Sequence, residues 1–143
     1  MTQQEQVARF AADAAQLLLA NGGEIYRAQQ TIEHIGAAYG APQINAYVLT
    51  NAVFVSLDGS EGGNVSEVRY VRSRSMHLTR VSAVNDLSRR IAKGKVSLEQ
   101  ARCELERVRM LPPSAPWLQI LACGAGTACF AYLFGGNGWD AFA

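Results

Sequence analysis

Residues 116–134, PWLQILACGAGTACFAYLF, form an uncharged and largely apolar stretch near the end of this chain. Its length is close to the roughly 20 residues that a helix needs to cross the hydrocarbon core of a bilayer. Trp117 near its start and Trp139 beyond its end are placed as interfacial aromatic anchors would be. The stretch therefore predicts a transmembrane helix over residues 117–134, and we interpret the rest of the chain around it.

Two features of this stretch suit a membrane. Gln119, its one strongly polar side chain, lies near the start, where it can reach lipid headgroups. Gly124, followed by Gly126 and Ala128, puts small residues on the helix surface, which favours close packing against another membrane helix. We therefore treat Gln119 and Gly124 as candidate membrane or gating residues. The alternative is a buried core helix of a soluble domain, because Gly and Ala weaken the hydropathy signal.

Charge is distributed unevenly along the chain. The net charge of +1 gives no argument for a nucleic-acid partner. Most of the lysines and arginines lie in residues 69–109, on the N-terminal side of the predicted span, which puts that side in the cytoplasm. The opening MTQQEQVARF lacks the features of a secretory signal peptide. We predict a cytoplasmic domain over residues 1–111, a proline linker over 112–116, and the start of a loop or second span over 135–143.

Hydrophobic periodicity predicts the first part of the domain. Apolar residues at helical spacing indicate one helix over residues 3–20 and a second that Gly40 ends. The period then changes, and β-branched and aromatic runs indicate strands over residues 43–49, 52–57 and 65–72. Short connections favour an antiparallel meander, and the third strand carries arginines on both faces, which is typical of an edge strand.

Helical spacing returns near Leu78, with Ser75 as the expected cap and Gly94 as the end. Ser97 with Gln100 has the spacing of a capping box for one more helix. The predicted fold class is therefore α+β: two helices, a three-stranded antiparallel meander, two helices, then one transmembrane helix.

The densest polar cluster is GGEIYRAQQT, residues 22–31. Glu24, Arg27 and Thr31 are spaced three and four apart, so they are expected to share one helix face. A small anion or an amino acid would suit this face, with Arg27 binding a carboxylate and Glu24 an amine. The alternative is an exposed face with a local salt bridge.

A second polar cluster, RSRSMHLTRVSAVNDLSRR, covers residues 72–90. Its arginines, with hydroxyls from Ser73 and Ser75, suit phosphate or another anion at a helix start. The alternative is a solvated or membrane-facing basic face. Asn85 lies next to the apolar stripe, so we expect it to face the core and hold neighbouring backbone.

No catalytic or metal-binding motif is present in the sequence. His34 and His77 are isolated and are interpreted as structural, and the three cysteines lack the CxxC spacing. The chain contains no GxSxG, GxxxxGK[ST] or GxGxxG pattern. We therefore predict no catalytic set, no metal site and no cofactor.

Four stretches, taken in order, resemble the threonine/serine exporter family. LLLANGGEIYRAQQTIEHIGAAYG resembles its helical opening, and AYVLTNAVFVSL resembles its strand-turn-strand. SRSMHLTRVSAVNDLSRRIAKGKVSLEQA resembles its next helix pair, and PPSAPWLQILACGAGTACFAYLFGGNGWDAFA resembles its first membrane span and the turn after it. The residues that match the family pattern are Gly23, Glu24, Tyr26, Arg27, Asn85, Ser88, Arg89, Gly135, Gly136 and Asp140.

Two departures from the family stand out. Thr50 and Ala52 occupy the strand turn where the family has Pro and Gly. Family members also resemble a cytoplasmic domain followed by several membrane helices, whereas this chain has one. A branch of the family divides its membrane part between two polypeptides and is linked to dicarboxylate export.

The resemblance implies the N-terminal part of an ion-gradient-driven exporter of threonine, serine or a related small carboxylate in a bacterial inner membrane. Such a protein would not be an enzyme, and its soluble domain would gate, assemble or hold substrate. Its partners would be membrane lipid, a small amino acid or dicarboxylate, and either further copies or a second membrane subunit. The alternatives are a structural oligomerisation module and a soluble hydrolase-like domain. The candidate substrate-binding residues are Glu24, Arg27, Thr31, Asn85 and Arg89, and Asp140 joins Gln119 and Gly124 as a membrane or gating candidate.

Overall fold

The computed structural model describes residues 2–58, 64–113 and 115–135. In order, its elements are α1 (Gln3–Ala20), α2 (Ile25–Ala38), β1 (Ile44–Val48), β2 (Ala52–Asp58), β3 (Asn64–Tyr70), α3 (Leu78–Ala92), α4 (Leu98–Arg109) and α5 (Pro116–Leu133). This order confirms the predicted α+β class with an apolar helix at its end. The chain forms two compact units, Met1–Leu111 and Pro112–Ala143.

Helix α1 is the central element of the first unit. A capping box of Thr2 and Glu5 begins it, and ten of its eighteen residues are buried. Alanines alternate with larger side chains such as Phe10 and Leu18, so α2, α3, α4 and two strands all pack against it. An amphipathic helix was predicted here, but the alanines extend burial beyond one stripe because their small side chains let neighbouring elements approach closely.

The three strands form one antiparallel sheet in the order β1-β2-β3. Val53 of β2 pairs with Val48 of β1 and with Arg69 of β3, which sets the register. The inner face of the sheet contributes Val53, Val55 and Leu57 to the core. The outer face exposes aromatic side chains, among them Tyr47 and Tyr70.

The edge position predicted for the third strand is confirmed, because β3 pairs with β2 alone among the strands that the structure describes. The strand ends at Tyr70, so Arg72 lies beyond it. Arg69 pairs with Asp13 of α1 at 2.6 Å and with Glu67 at 2.7 Å. Inward-pointing charges of this kind discourage an edge strand from pairing with a further strand.

The caps of the last two helices of the first unit are partly as predicted. Ser97 and Gln100 form the expected capping box of α4. The expected cap of α3, Ser75, is wrong: His77 is the N-cap, and its Nδ1 accepts from the backbone N–H of Arg80. Ser75 is held elsewhere, since its N–H donates to the carbonyl of Ala20 at 2.8 Å.

The buried stripes of α2 and α3 begin after the first turn of each helix. Ile25 is 38% exposed and Leu78 is 68% exposed, so neither joins the core. Burial begins at Ala28 in α2 and at Val84 in α3. The first turns of both helices therefore lie at the surface, where they can form the walls of a cleft.

In the second unit, α5 is long and apolar enough to cross a membrane. None of its residues is buried, and Trp117 is 64% exposed. Trp139 and Asp140 lie outside the described residues.

Candidate functional site

A cleft of about 440 Å³ lies between the start of α2 and one side of α3. We call it the α2–α3 cleft. Its walls are Gly22, Gly23, Glu24 and Arg27 on one side, and Leu78, Val81, Ser82, Asn85 and Arg89 on the other. Four of the five predicted substrate-binding residues thus line one cleft, although Glu24 and Arg89 are 65 positions apart in the sequence.

Two glycines shape the chain where it enters α2. Gly22 has a φ of +91°, a conformation that favours glycine. Gly23 donates its N–H to the carbonyl of Leu18 at 2.8 Å, and a Cβ at Gly23 would lie 2.8 Å from that same oxygen. The close approach lets the backbone turn back sharply, so Glu24 follows directly as the N-cap of α2.

The charged side chains of the α2–α3 cleft form no ion pair with any other described residue. Glu24 makes no capping hydrogen bond. Among the described residues, no ion pair joins Glu24 to Arg27, so the local salt bridge considered as the alternative is not formed. Arg89 likewise has no carboxylate partner within the described ranges, whereas its neighbour Arg90 pairs with Asp86 and Glu104.

Thr31 does not belong to this cleft, and its predicted place on the face of Glu24 and Arg27 is wrong. It is 3% exposed, and its hydroxyl donates to the carbonyl of Arg27 at 2.9 Å. The physical reason is that α2 begins at Ile25, so Glu24 does not follow the helical projection. Thr31 instead lies three residues after Ala28 and four before Ile35, both of which are buried.

Asn85 also departs from expectation. It was expected to face the core and hold neighbouring backbone, but it is half-buried and lines the α2–α3 cleft. The buried stripe of α3 runs through Val84, Leu87, Ser88 and Ile91. The side-chain amide of Asn85 is therefore available to a ligand in the cleft.

A second cleft, of about 530 Å³, lies where α1, β3 and the segment after β3 meet. It contains Arg72 and Arg80 of the second polar cluster together with Ser73 and Ser75. Sequence reasoning missed Arg109 and Gln16, which line the same cleft from α4 and α1. Only the packing of four separate segments brings them together, so no local pattern points to them.

The membrane candidates lie partly on α5. Gln119 and Gly124 are exposed on this helix, and a Cβ at Gly124 would meet nothing within 4 Å. Asp140 falls outside the described part of the chain. Their membrane or gating role stays a prediction.

In the described ranges, no group of three or more His, Cys, Asp or Glu side chains is arranged to hold a metal ion. Cys103, Cys123 and Cys129 are free and exposed.

The fold and its clefts define a small α+β domain that carries an apolar helix of membrane-spanning length. The family model for threonine/serine exporters, ThrE, matches residues 9–143, and the chain belongs to this family. This is a family of transport proteins, so the chain is an exporter-type membrane protein. Comparison with curated proteins gave no significant match, and neither did comparison with solved structures.

Proposed function

We propose that this chain is the N-terminal part of a bacterial inner-membrane exporter of threonine, serine or a related small carboxylate. The family match supports export of these substrates. The basic residues ahead of α5 support a cytoplasmic location for the first unit. A single span does not make an alternating-access path, so an exporter of this kind needs membrane helices in addition to α5.

The first unit holds substrate transiently in the α2–α3 cleft. The observation that carries this proposal is that Glu24, Arg27 and Arg89 line one cleft and have no charged partner among the residues that the structure describes. Arg27 or Arg89 would bind the α-carboxylate of an amino acid, and Glu24 would bind its ammonium group. The amide of Asn85 offers a partner for the side-chain hydroxyl of threonine or serine.

The charge balance of the cleft favours a zwitterion over a dicarboxylate. Two carboxylates would engage both arginines but would bring negative charge towards Glu24, which has no cation to offset it. An amino acid satisfies both signs of charge. We therefore expect threonine or serine to bind more tightly than a dicarboxylate of the same size.

The test is equilibrium binding of threonine to the full chain in an uncharged detergent, with and without the Arg27→Ala substitution. Loss of a charge-assisted hydrogen bond is expected to weaken binding by about tenfold or more. Arg107→Ala is the matched control, because Arg107 is also exposed but lines a different cleft. Unchanged affinity in Arg27→Ala would remove this residue from the site.

One observation favours the second candidate, a structural oligomerisation module. The outer face of the sheet exposes Tyr47, Phe54, Val68 and Tyr70, and an apolar face of this kind is typical of interaction surfaces. The full chain in detergent also distinguishes the substrate-binding function from these alternatives. Self-association without any binding of amino acid or dicarboxylate would favour the module, and turnover of a substrate would favour the hydrolase-like alternative.

A further inference from the structure

The second cleft, which we call the basic cleft, is lined by Gln16, Leu17, Ala20 and Asn21 of the α1 end, by residues 68–73 and Ser75, and by Arg80 and Arg109. Four of these residues are arginines and none is Asp or Glu. A cleft lined by charges of one sign concentrates counter-ions. Its electrostatics therefore differ from those of the α2–α3 cleft, which contains Glu24.

The four arginines differ in how far their charge is offset. Arg69 is neutralised by Asp13 and Glu67. Arg109 lies 3.6 Å from Glu106 one turn away, which is a weak exposed pair. Arg72 has no carboxylate partner among the described residues.

Arg80 is held in place by neutral acceptors. Its Nη1 donates to the amide oxygen of Asn21 at 3.3 Å, and its Nη2 donates to the carbonyl of Leu111. Its Nε is buried without a hydrogen-bond partner. These bonds orient the guanidinium but leave its full positive charge beside the cleft, since neither acceptor is ionised.

The segment after β3 adds neutral donors at fixed positions. The N–H groups of Val71 and Ser75 donate at 2.8 Å to Asn51 and Ala20, which anchors both ends of residues 71–75. Between these anchors, the N–H groups of Arg72 and Ser73 have no acceptor among the described residues. Ser73, whose hydroxyl is a further possible donor, lines the same cleft.

We propose that the basic cleft binds a phosphate group. The residues that line this cleft supply arginine guanidinium groups, serine hydroxyls and backbone N–H groups, which are the donors that phosphate oxygens take. An amino acid fits poorly, because the lining offers no carboxylate for its ammonium group. The phosphate belongs either to a soluble phosphorylated molecule or to the headgroup of an anionic phospholipid. This site is separate from the proposed substrate site, so an experiment can contradict one of the two proposals and leave the other standing.

The experiment compares the full chain with the double variant Arg72→Gln/Arg109→Gln. Both side chains are exposed, and neither makes a bond on which the core depends. The matched control is Lys93→Gln/Arg107→Gln, which removes the same charge from exposed positions outside the basic cleft. One arm titrates inorganic phosphate at constant ionic strength in an uncharged detergent. The other uses native mass spectrometry to count phosphatidylglycerol and phosphatidylcholine molecules retained by the chain.

The proposal expects phosphate affinity to fall by about tenfold or more in the double variant and to stay unchanged in the control. A lipid source predicts instead that the wild-type chain retains phosphatidylglycerol over phosphatidylcholine, and that only the double variant loses this preference. Either result supports the phosphate site and shows whether the phosphate group belongs to a soluble molecule or to a lipid. Two results overturn it: neither phosphate nor anionic lipid binds preferentially to the wild-type chain, or the control loses binding to the same extent.

Discussion

At the residue scale, the geometry of the α2–α3 cleft depends on Gly23. Its missing side chain lets the backbone pass close to Leu18, and the next residue, Glu24, then occupies the N-cap position of α2 at the cleft wall. The neighbouring atom that a Cβ would meet is a backbone oxygen of α1, which cannot turn aside as a flexible side chain can. The cleft wall therefore depends on a close contact between α1 and the connection that leads into α2.

The Gly23→Ala substitution is expected to lower the free energy of unfolding by about 1–3 kcal/mol, because the added methyl group forces α1 and α2 apart. Thermal or denaturant unfolding of the full chain measures this. Ser82→Ala, at an exposed position in the same cleft, serves as the control and should leave the stability within about 0.5 kcal/mol of the wild type. A Gly23→Ala protein as stable as the wild type would contradict the close packing.

Sequence reasoning named five substrate candidates and expected Thr31 to lie on the same face as Glu24 and Arg27, which the structure does not show. Glu24, Arg27, Asn85 and Arg89 line one cleft, whereas Thr31 is buried. Helical spacing predicts a shared face only for residues inside the helix, and Glu24 lies one position before it. Helix ends are set by caps and by tertiary contacts such as that of Gly23, which spacing does not contain.

At the element scale, the order of helices and strands was predictable because periodicity is a local property. The cap of α3 was not, since His77 acts there in place of a typical Ser or Asp. The ion pairs between α1 and β3 were also missed. They depend on which residue of β3 lies opposite Asp13, and that follows only from the packing of helix on sheet.

The ion pairs of Glu67 with Arg69 and Arg9 change the pKa of the Glu67 carboxyl group. Burial by itself would raise the pKa of the Glu67 carboxyl. Hydrogen bonds and charge from Arg69 and Arg9 outweigh that effect, so the pKa of Glu67 lies below its ordinary value of 4.5. A lowered pKa in the folded state stabilises the protein above the pKa of the unfolded state, and this stabilisation is lost as the pH falls through the folded pKa.

The Glu67→Gln substitution is therefore expected to lower the free energy of unfolding at pH 7. The difference from the wild type should shrink as the pH falls below about 4.5, because the wild-type carboxyl then becomes neutral as well. Denaturant unfolding at a series of pH values measures this. Glu33→Gln, at an exposed position on α2, is the control, and a pH-independent effect of Glu67→Gln would contradict the ion-pair account.

At the scale of the whole molecule, the chain combines a domain that has its own core with a helix that has none. Six of the seven described helices and strands of the first unit contribute buried side chains to its core. The exception is β3, whose inner-facing residues are half-buried. Helix α5 buries nothing, which is the pattern expected of a helix whose solvent is lipid. Our central proposal is that α5 spans the membrane with the first unit in the cytoplasm.

The three cysteines allow one measurement of this claim. Cys103 lies on α4 of the first unit, and Cys123 and Cys129 lie on α5. Single-cysteine variants, made by Cys→Ser substitution, would be treated with a membrane-impermeant maleimide in right-side-out and in inside-out vesicles. We predict that Cys103 is labelled only in inside-out vesicles, and that Cys123 and Cys129 are labelled in neither until detergent is added. Labelling of Cys103 in right-side-out vesicles, or ready labelling of Cys123 and Cys129 without detergent, would contradict the account.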